Sequence, residues 1–95
     1  MHLSFSPAAD ADLTDIASFI ARDNVDRALT FIDELQAACT KLLDFPGSGT
    51  VRSELRPDLR SRVYGSYVIF YTLVPGSVRI ERILHGARDV STILS

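Results

Sequence analysis

The sequence predicts an α+β fold: an N-terminal strand, an antiparallel two-helix hairpin packed on one face of an antiparallel β-meander, and a short C-terminal helical turn. Three observations carry this expectation. Apolar residues recur at three- and four-residue steps from Ala9 to Leu43, the mark of helices with one buried stripe. After the loop "GSGTVRSELRPD" the period falls to two, the mark of strands. Two turn signals, Gly65-Ser66 and Pro75-Gly76, then divide "LRSRVYGSYVIFYTLVPGSVRIERIL" into three strands.

"HLSFS", residues 2–6, reads as a short strand. "SPAADADL" starts a helix, with Ser6 as N-cap, Pro7 at the first helical position and Asp10 in the opening turns. Ala9, Leu13, Ile16, Ala17 and Ile20 form its stripe, and "RDN" ends it. Asn24 is placed to cap a second helix, whose stripe is Ala28, Phe31, Ile32, Leu35, Ala38, Cys39, Leu42 and Leu43. So short a link folds the two helices back on each other. "FPGSG" stops the second helix before the meander.

The chain has 95 residues and no internal linker, so residues 1–95 form a single domain. A domain this short buries only about 60–65% of the surface its unfolded form exposes. No run approaches the roughly 18 apolar residues of a membrane span, and no secretory signal is evident at the N-terminus. The single cysteine, Cys39, reads as a reduced core thiol in a cytoplasmic protein. The net charge of −2 conceals an asymmetry. Residues 1–48 hold three cations against eight carboxylates, and residues 49–95 hold seven arginines against four carboxylates. The basic half has no lysine, which favours planar, bidentate contacts over a diffuse positive field. So modest a charge argues against non-specific DNA binding as the main activity.

The strand "YVIFYTL" is apolar on both faces: Tyr67, Ile69, Tyr71 and Leu73 alternate with Val68, Phe70 and Thr72. Two helices cover one face only. The other needs a partner helix, self-association, or the chain's own loop and C-terminal segment, and a partner is the favoured expectation.

Candidate chemical sites are few. Asp10, Asp12, Asp15, Asp23 and Asp26 read as solvated helix-terminal acids that complement the helix dipoles, not as a catalytic pair. "GSGT" lacks the lysine and leading strand of a phosphate loop. His2, His85 and Cys39 are far apart in sequence, with no metal-ligand spacing, so neither a metal nor a cofactor is expected. The stretch "RILHGARDV" gathers His85, Arg88 and Asp89 at a strand end. It reads as a catalytic cluster, as a docking surface, or as a glycine turn in which Asp89 caps a last helix and pairs with Arg88. Alternation assigns Val78, Ile80, Arg82 and Leu84 to one side of that strand and Arg79, Glu81, Ile83 and His85 to the other. Arg60 and Arg62 share a face of the first meander strand.

Four segments resemble the ParE-type toxins of the RelE/ParE toxin superfamily, also described as plasmid-stabilisation proteins. They are "LSFSPAADADLTDIASFIARDN", "ALTFIDELQAACTKLLDFPGSG", "GSYVIFYTL" and "IERILHGARDV", in order over nearly the whole chain. The leucine-histidine-glycine-x-arginine-aspartate ending is the most specific. The resemblance implies the toxin of a type II toxin–antitoxin system, neutralised by a ParD-like antitoxin. Such antitoxins carry a DNA-binding part and an acidic, amphipathic C-terminal segment, and the toxin meets DNA only through the antitoxin or its target. An isolated segment of that kind orders only on binding, which leaves free antitoxin open to proteolysis. On this chain the contacts that the resemblance implies for it are Arg60, Arg62, Arg79 and Arg82, with the apolar Val68 and Phe70.

The resemblance leaves two mechanisms. ParE-type toxins are described as poisons of DNA gyrase, and here His85 and Arg88 would contact the target. RelE-type relatives are ribosome-dependent endoribonucleases, and here His85, Arg62, Arg82 and Arg88 would form a reduced catalytic site. An RNase must activate a 2′-hydroxyl, stabilise a crowded phosphorane and protonate the leaving oxygen. The only lysine, Lys41, lies in the second helix, and nothing aromatic or ionisable follows Asp89. The expectation is therefore a non-enzymatic gyrase inhibitor. A non-toxic co-repressor subunit is a third reading.

Overall fold

The computed structural model describes residues 1–94. The elements run β1 (His2–Phe5), α1 (Pro7–Ala21), α2 (Val25–Lys41), a short 3₁₀ turn (Pro46–Ser48), β2 (Thr50–Val51), β3 (Leu59–Tyr64), β4 (Tyr67–Val74), β5 (Ser77–His85) and α3 (Val90–Leu94). Both caps form as the sequence implies. Ser6 Oγ accepts from the Ala9 amide at 3.0 Å, and Asn24 Oδ1 accepts from the Arg27 amide at 2.9 Å. Gly65 and Gly76 take positive φ, 57° and 75°, at the two hairpin turns.

The sheet is larger and more mixed than a three-stranded meander. Its order is β1-β5-β4-β3-β2, with β1 parallel to β5 and every other pairing antiparallel. The chain between this parallel pair is long: the helical hairpin carries it from β1 to the far edge of the sheet, and β2, β3 and β4 bring it back to β5. Two-residue β2 has no periodic pattern to reveal it and forms by pairing Thr50 with Ser61 and Val51 with Arg60.

A register irregularity between Phe70 and Tyr71 puts Ile80 opposite Tyr71 and Arg82 opposite Phe70, with Glu81 extra. Such a bulge inverts the alternation beyond it. Val78, Ile80 and Ile83 consequently share the helix-side core, and Leu84 joins the opposite cluster. The strict alternation read from sequence, which set Ile83 apart from Val78 and Ile80, is corrected.

On the helix side Ile69, Tyr71, Val78, Ile80 and Ile83 pack against Ala9, Ile16, Phe31, Leu35, Cys39 and Leu42. Burial pushes the Cys39 thiol up to about 12, so it stays protonated and unreactive at neutral pH. Tyr71 also pins the loop after α2: its hydroxyl donates to the Pro46 carbonyl and accepts from the Gly49 amide, both at 2.9 Å. Gly49 is required there, because an added Cβ would lie 2.3 Å from that hydroxyl. Tyr71→Phe is expected to cost about 2 kcal/mol, since it strands both backbone groups. Thermal unfolding checks this as a fall of roughly 8–16 °C for a domain of this size.

The second face is covered by the chain itself. Leu59, Phe70, Leu84 and Leu94 form a buried cluster, with Leu55, Val68, Val90 and Ile93 packed around it. Phe70 is 1% exposed and Leu84 1% exposed. The expected partner helix over this face is thus replaced by α3 and the Leu55 loop. Five residues make a helix too short to stand alone, but Leu94 inserted over Phe70 and Leu84 holds it by apolar burial.

Candidate functional site

The strand-end cluster is built by the last turn of β5 and the "HGARD" turn. His85 pairs with Tyr67 across β4/β5, and the two rings meet edge to face with centroids 5.4 Å apart. His85 Nδ1 accepts from the Ala87 amide at 3.1 Å, which puts the ring proton on Nε2. The sequence-based ion pair between Arg88 and Asp89 is not formed. Asp89 instead accepts from Ser91 Oγ at 2.7 Å and Thr92 Oγ1 at 3.0 Å at the start of α3, and these bonds hold its carboxyl below the usual range. Arg88 is exposed beside the likewise exposed His85, both on the same turn.

The arginines do not converge on His85. Arg82 donates from Nε and Nη2 to the two oxygens of Asp12, each at 2.8 Å. The same Asp12 carboxylate accepts the Ile83 amide at 2.9 Å. It stands where β1 has ended, and Ser6 does likewise by bonding the Ile80 and Glu81 carbonyls. Asp12 is only 6% exposed, so its reading as a solvated acid is corrected: it joins α1 to the edge of β5. The bidentate bond raises the Arg82 pKa further, and the guanidinium is committed to the fold.

The second face carries a separate group of cations. Arg79 and Arg56 share Glu81, at 3.4 and 3.3 Å, and Thr72 donates to the same carboxylate at 2.7 Å. Arg52 pairs with Glu54 at 2.7 Å and lies 5.6 Å from the centre of the Phe70 ring. Of the expected apolar contacts, Val68 is half-buried at the border of the α3 cluster, whereas Phe70 lies wholly beneath it. Phe70 is therefore core, and its assignment to a partner surface is corrected.

Arg60 and Arg62 do share a face, as expected, on the helix side near the free edge of the sheet. Arg60 donates to the Gly47 and Gly49 carbonyls at 3.1 and 3.2 Å, and Arg62 to Ser48 Oγ at 3.0 Å. Beside them a cleft of about 600 Å³ opens between α2 and β3. Glu34 lines it and is already engaged by Arg27 at 2.6 Å and by Tyr64 Oη at 2.8 Å. Those bonds lower the Glu34 carboxyl and raise the Tyr64 hydroxyl.

Two features escaped the sequence reading. Asp12 sits between Ala9 and Ile16 at three- and four-residue steps, so its place inside the buried stripe was a usable signal. The cleft had none, because its lining comes from α2, the loop after it and β3, and α2 ends at Lys41 whereas β3 begins only at Leu59.

The family model for "ParE toxin of type II toxin-antitoxin system, parDE" matches residues 3–90. A solved chain from the chromosomal ParDE TA system of P. aeruginosa shares the fold, with TM-score 0.76 at 19% identity over 90% of this chain and 95% of that one. No curated protein matches the chain. No helix among the described residues is long and apolar enough to cross a membrane. The fold, the match over nearly the whole length and the "LHGARD" turn lead to one assignment: the chain belongs to the ParE family of toxins of type II toxin–antitoxin systems.

Proposed function

We propose that this toxin acts by binding, not by catalysis. It is held inactive by a ParD-like antitoxin and, once released in the cytoplasm, inhibits DNA gyrase. The observation that carries this reading is the dispersal of the acid–base and cationic groups an RNase would gather. Arg82 is locked to Asp12 at 2.8 Å, Arg62 lies across the sheet in the α2/β3 cleft, and the lone pair on His85 Nδ1 is taken by the Ala87 amide. No pair of groups at the strand end can both remove a proton and return one.

His85 Nε2–H and the Arg88 guanidinium remain as exposed donors on one turn, suited to meeting carbonyl, carboxylate or phosphate oxygens on a large target. Incubating the free toxin with gyrase and supercoiled plasmid tests the reading. Accumulation of cleaved gyrase–DNA complex is expected. Arg88→Ala should reduce it at least tenfold while moving the thermal midpoint by less than about 2 °C, as for an exposed, unpaired side chain. Unaffected supercoiling, together with discrete cuts in messenger RNA of intoxicated cells, would overturn it.

A further inference from the structure

We infer that Tyr67 belongs to the target-binding surface: its ring holds the His85 imidazole in place, and its hydroxyl meets the target beside His85 Nε2–H and Arg88. The inference deepens the function proposed above and rests on it for the target, gyrase.

The ring acts through His85. That residue is exposed, yet its imidazole is held on two sides. Nδ1 accepts from the Ala87 amide at 3.1 Å, and the ring stands at 83° to that of Tyr67. Tyr67 is backed in turn by Phe31 of α2, with centroids 5.6 Å apart, and Phe31 is only 8% exposed. Phe31 also meets Tyr64 at 5.9 Å and the Arg27 guanidinium at 5.2 Å. A row of rings thus runs from the helical hairpin to the exposed imidazole. The backbone tightens the same joint: the Gly86 amide donates to the Ser66 carbonyl at 2.8 Å, tying the turn after His85 to the turn before Tyr67. A side chain fixed before the encounter gives up less conformational freedom on binding.

The hydroxyl acts directly. Tyr64 Oη donates to Glu34, and Tyr71 Oη bonds both Pro46 and Gly49. Tyr67 Oη has no hydrogen-bond partner among the described residues. No buried side-chain oxygen or nitrogen among them is left unbonded, so this hydroxyl reaches water although the residue is half-buried. A tyrosine with its ring packed and its hydroxyl free is the form in which the residue serves at interfaces. It can donate or accept there.

The three groups also describe what they meet. Arg88 brings a full charge, whereas the other two are polar atoms on aromatic rings. Such a set suits carbonyl and carboxylate oxygens of a protein surface. A DNA backbone calls for several cations.

The test measures the affinity of full-length toxin for purified gyrase, without DNA, by calorimetry. Tyr67→Phe keeps the ring contacts and should bind about fivefold more weakly, for loss of one hydrogen bond. Tyr67→Leu also frees the imidazole and should bind about 25-fold more weakly. In a His85→Ala background Tyr67→Leu should cost no more than Tyr67→Phe, since no imidazole remains to be held. Tyr64→Phe should leave the affinity unchanged, because that hydroxyl is bonded within the chain. Melting curves separate loss of fold from loss of contact, and Tyr67→Phe, which keeps every ring contact, carries the test if Tyr67→Leu does not fold. Unchanged affinity in Tyr67→Phe, or an equal cost of Tyr67→Leu in both backgrounds, would overturn the inference and leave the gyrase reading intact. Loss of affinity for plasmid DNA alone in the Tyr67 variants would place the contact on nucleic acid and overturn it as well. Failure of the unaltered toxin to bind gyrase would overturn both readings.

Discussion

Phe70→Ala is expected to destabilise the free toxin by about 3–5 kcal/mol, enough to bring a domain of this size near its unfolding threshold at physiological temperature. Phe70 is 1% exposed and lies at the centre of the cluster that joins β3, β4, β5 and α3. Removing its ring leaves Leu59, Leu84 and Leu94 facing a void they cannot fill without moving the backbone of the sheet. It also removes the surface over which Arg52 lies. The comparison is Phe19→Ala, at a side chain 63% exposed on α1, which should cost under about 0.5 kcal/mol. Thermal denaturation of the isolated toxin measures both. If Phe70 were a contact for a partner, its loss would weaken the complex and leave the free protein as stable as before.

Asp12→Ala should cost about 3 kcal/mol, whereas Asp15→Ala, exposed on the same helix, should cost little. The difference follows from what each carboxylate leaves behind. Without Asp12, the Arg82 guanidinium loses two bonds of 2.8 Å and the buried Ile83 amide loses its acceptor at 2.9 Å. Both donors lie where β1 no longer pairs with β5, so no strand neighbour can replace the carboxylate. The arginine keeps some access to water, which holds the cost near the lower end for a broken buried pair. The double variant Asp12→Ala/Arg82→Met should recover part of the loss, because it removes the stranded charge as well as its partner. Equal melting points for the Asp12 and Asp15 variants would mean that the joint between α1 and β5 contributes nothing.

The features legible in the sequence were those set by local chemistry. Ser6-Pro7 and Asn24 mark helix starts through their own hydrogen bonds, and Gly65 and Gly76 mark turns through the positive φ they adopt. What stayed hidden depended on register and on distant contacts. The bulge opposite Phe70 and Tyr71 adds one residue to β5 and so reverses which side chains meet the helices, and nothing in "RIERIL" announces it. The parallel pairing of β1 was equally silent, because a strand pattern shows which faces are apolar and not which edge it joins.

The site was legible in outline only. "LHGARD" located the turn that presents His85 and Arg88, but residue types alone could not separate committed arginines from available ones. Arg82 and Arg62 look alike as letters. One is bonded to a carboxylate seventy residues away in sequence, and the other reaches only the hydroxyl of Ser48. The same limit explains why Phe70 read as a docking surface: α3 is five residues with little pattern, and its ability to cover the sheet rests on where Leu94 lands.

The claim that this toxin inhibits by occupancy is tested most directly by the stoichiometry of inhibition. Gyrase supercoiling is measured at fixed enzyme while the toxin is titrated from far below to above equimolar. Loss of activity is expected to rise with the toxin-to-gyrase ratio and to saturate near equivalence, with DNA cut only within the gyrase complex and RNA left intact. Progressive inactivation by a small fraction of an equivalent, or RNA cleavage by toxin that turns over, would contradict it.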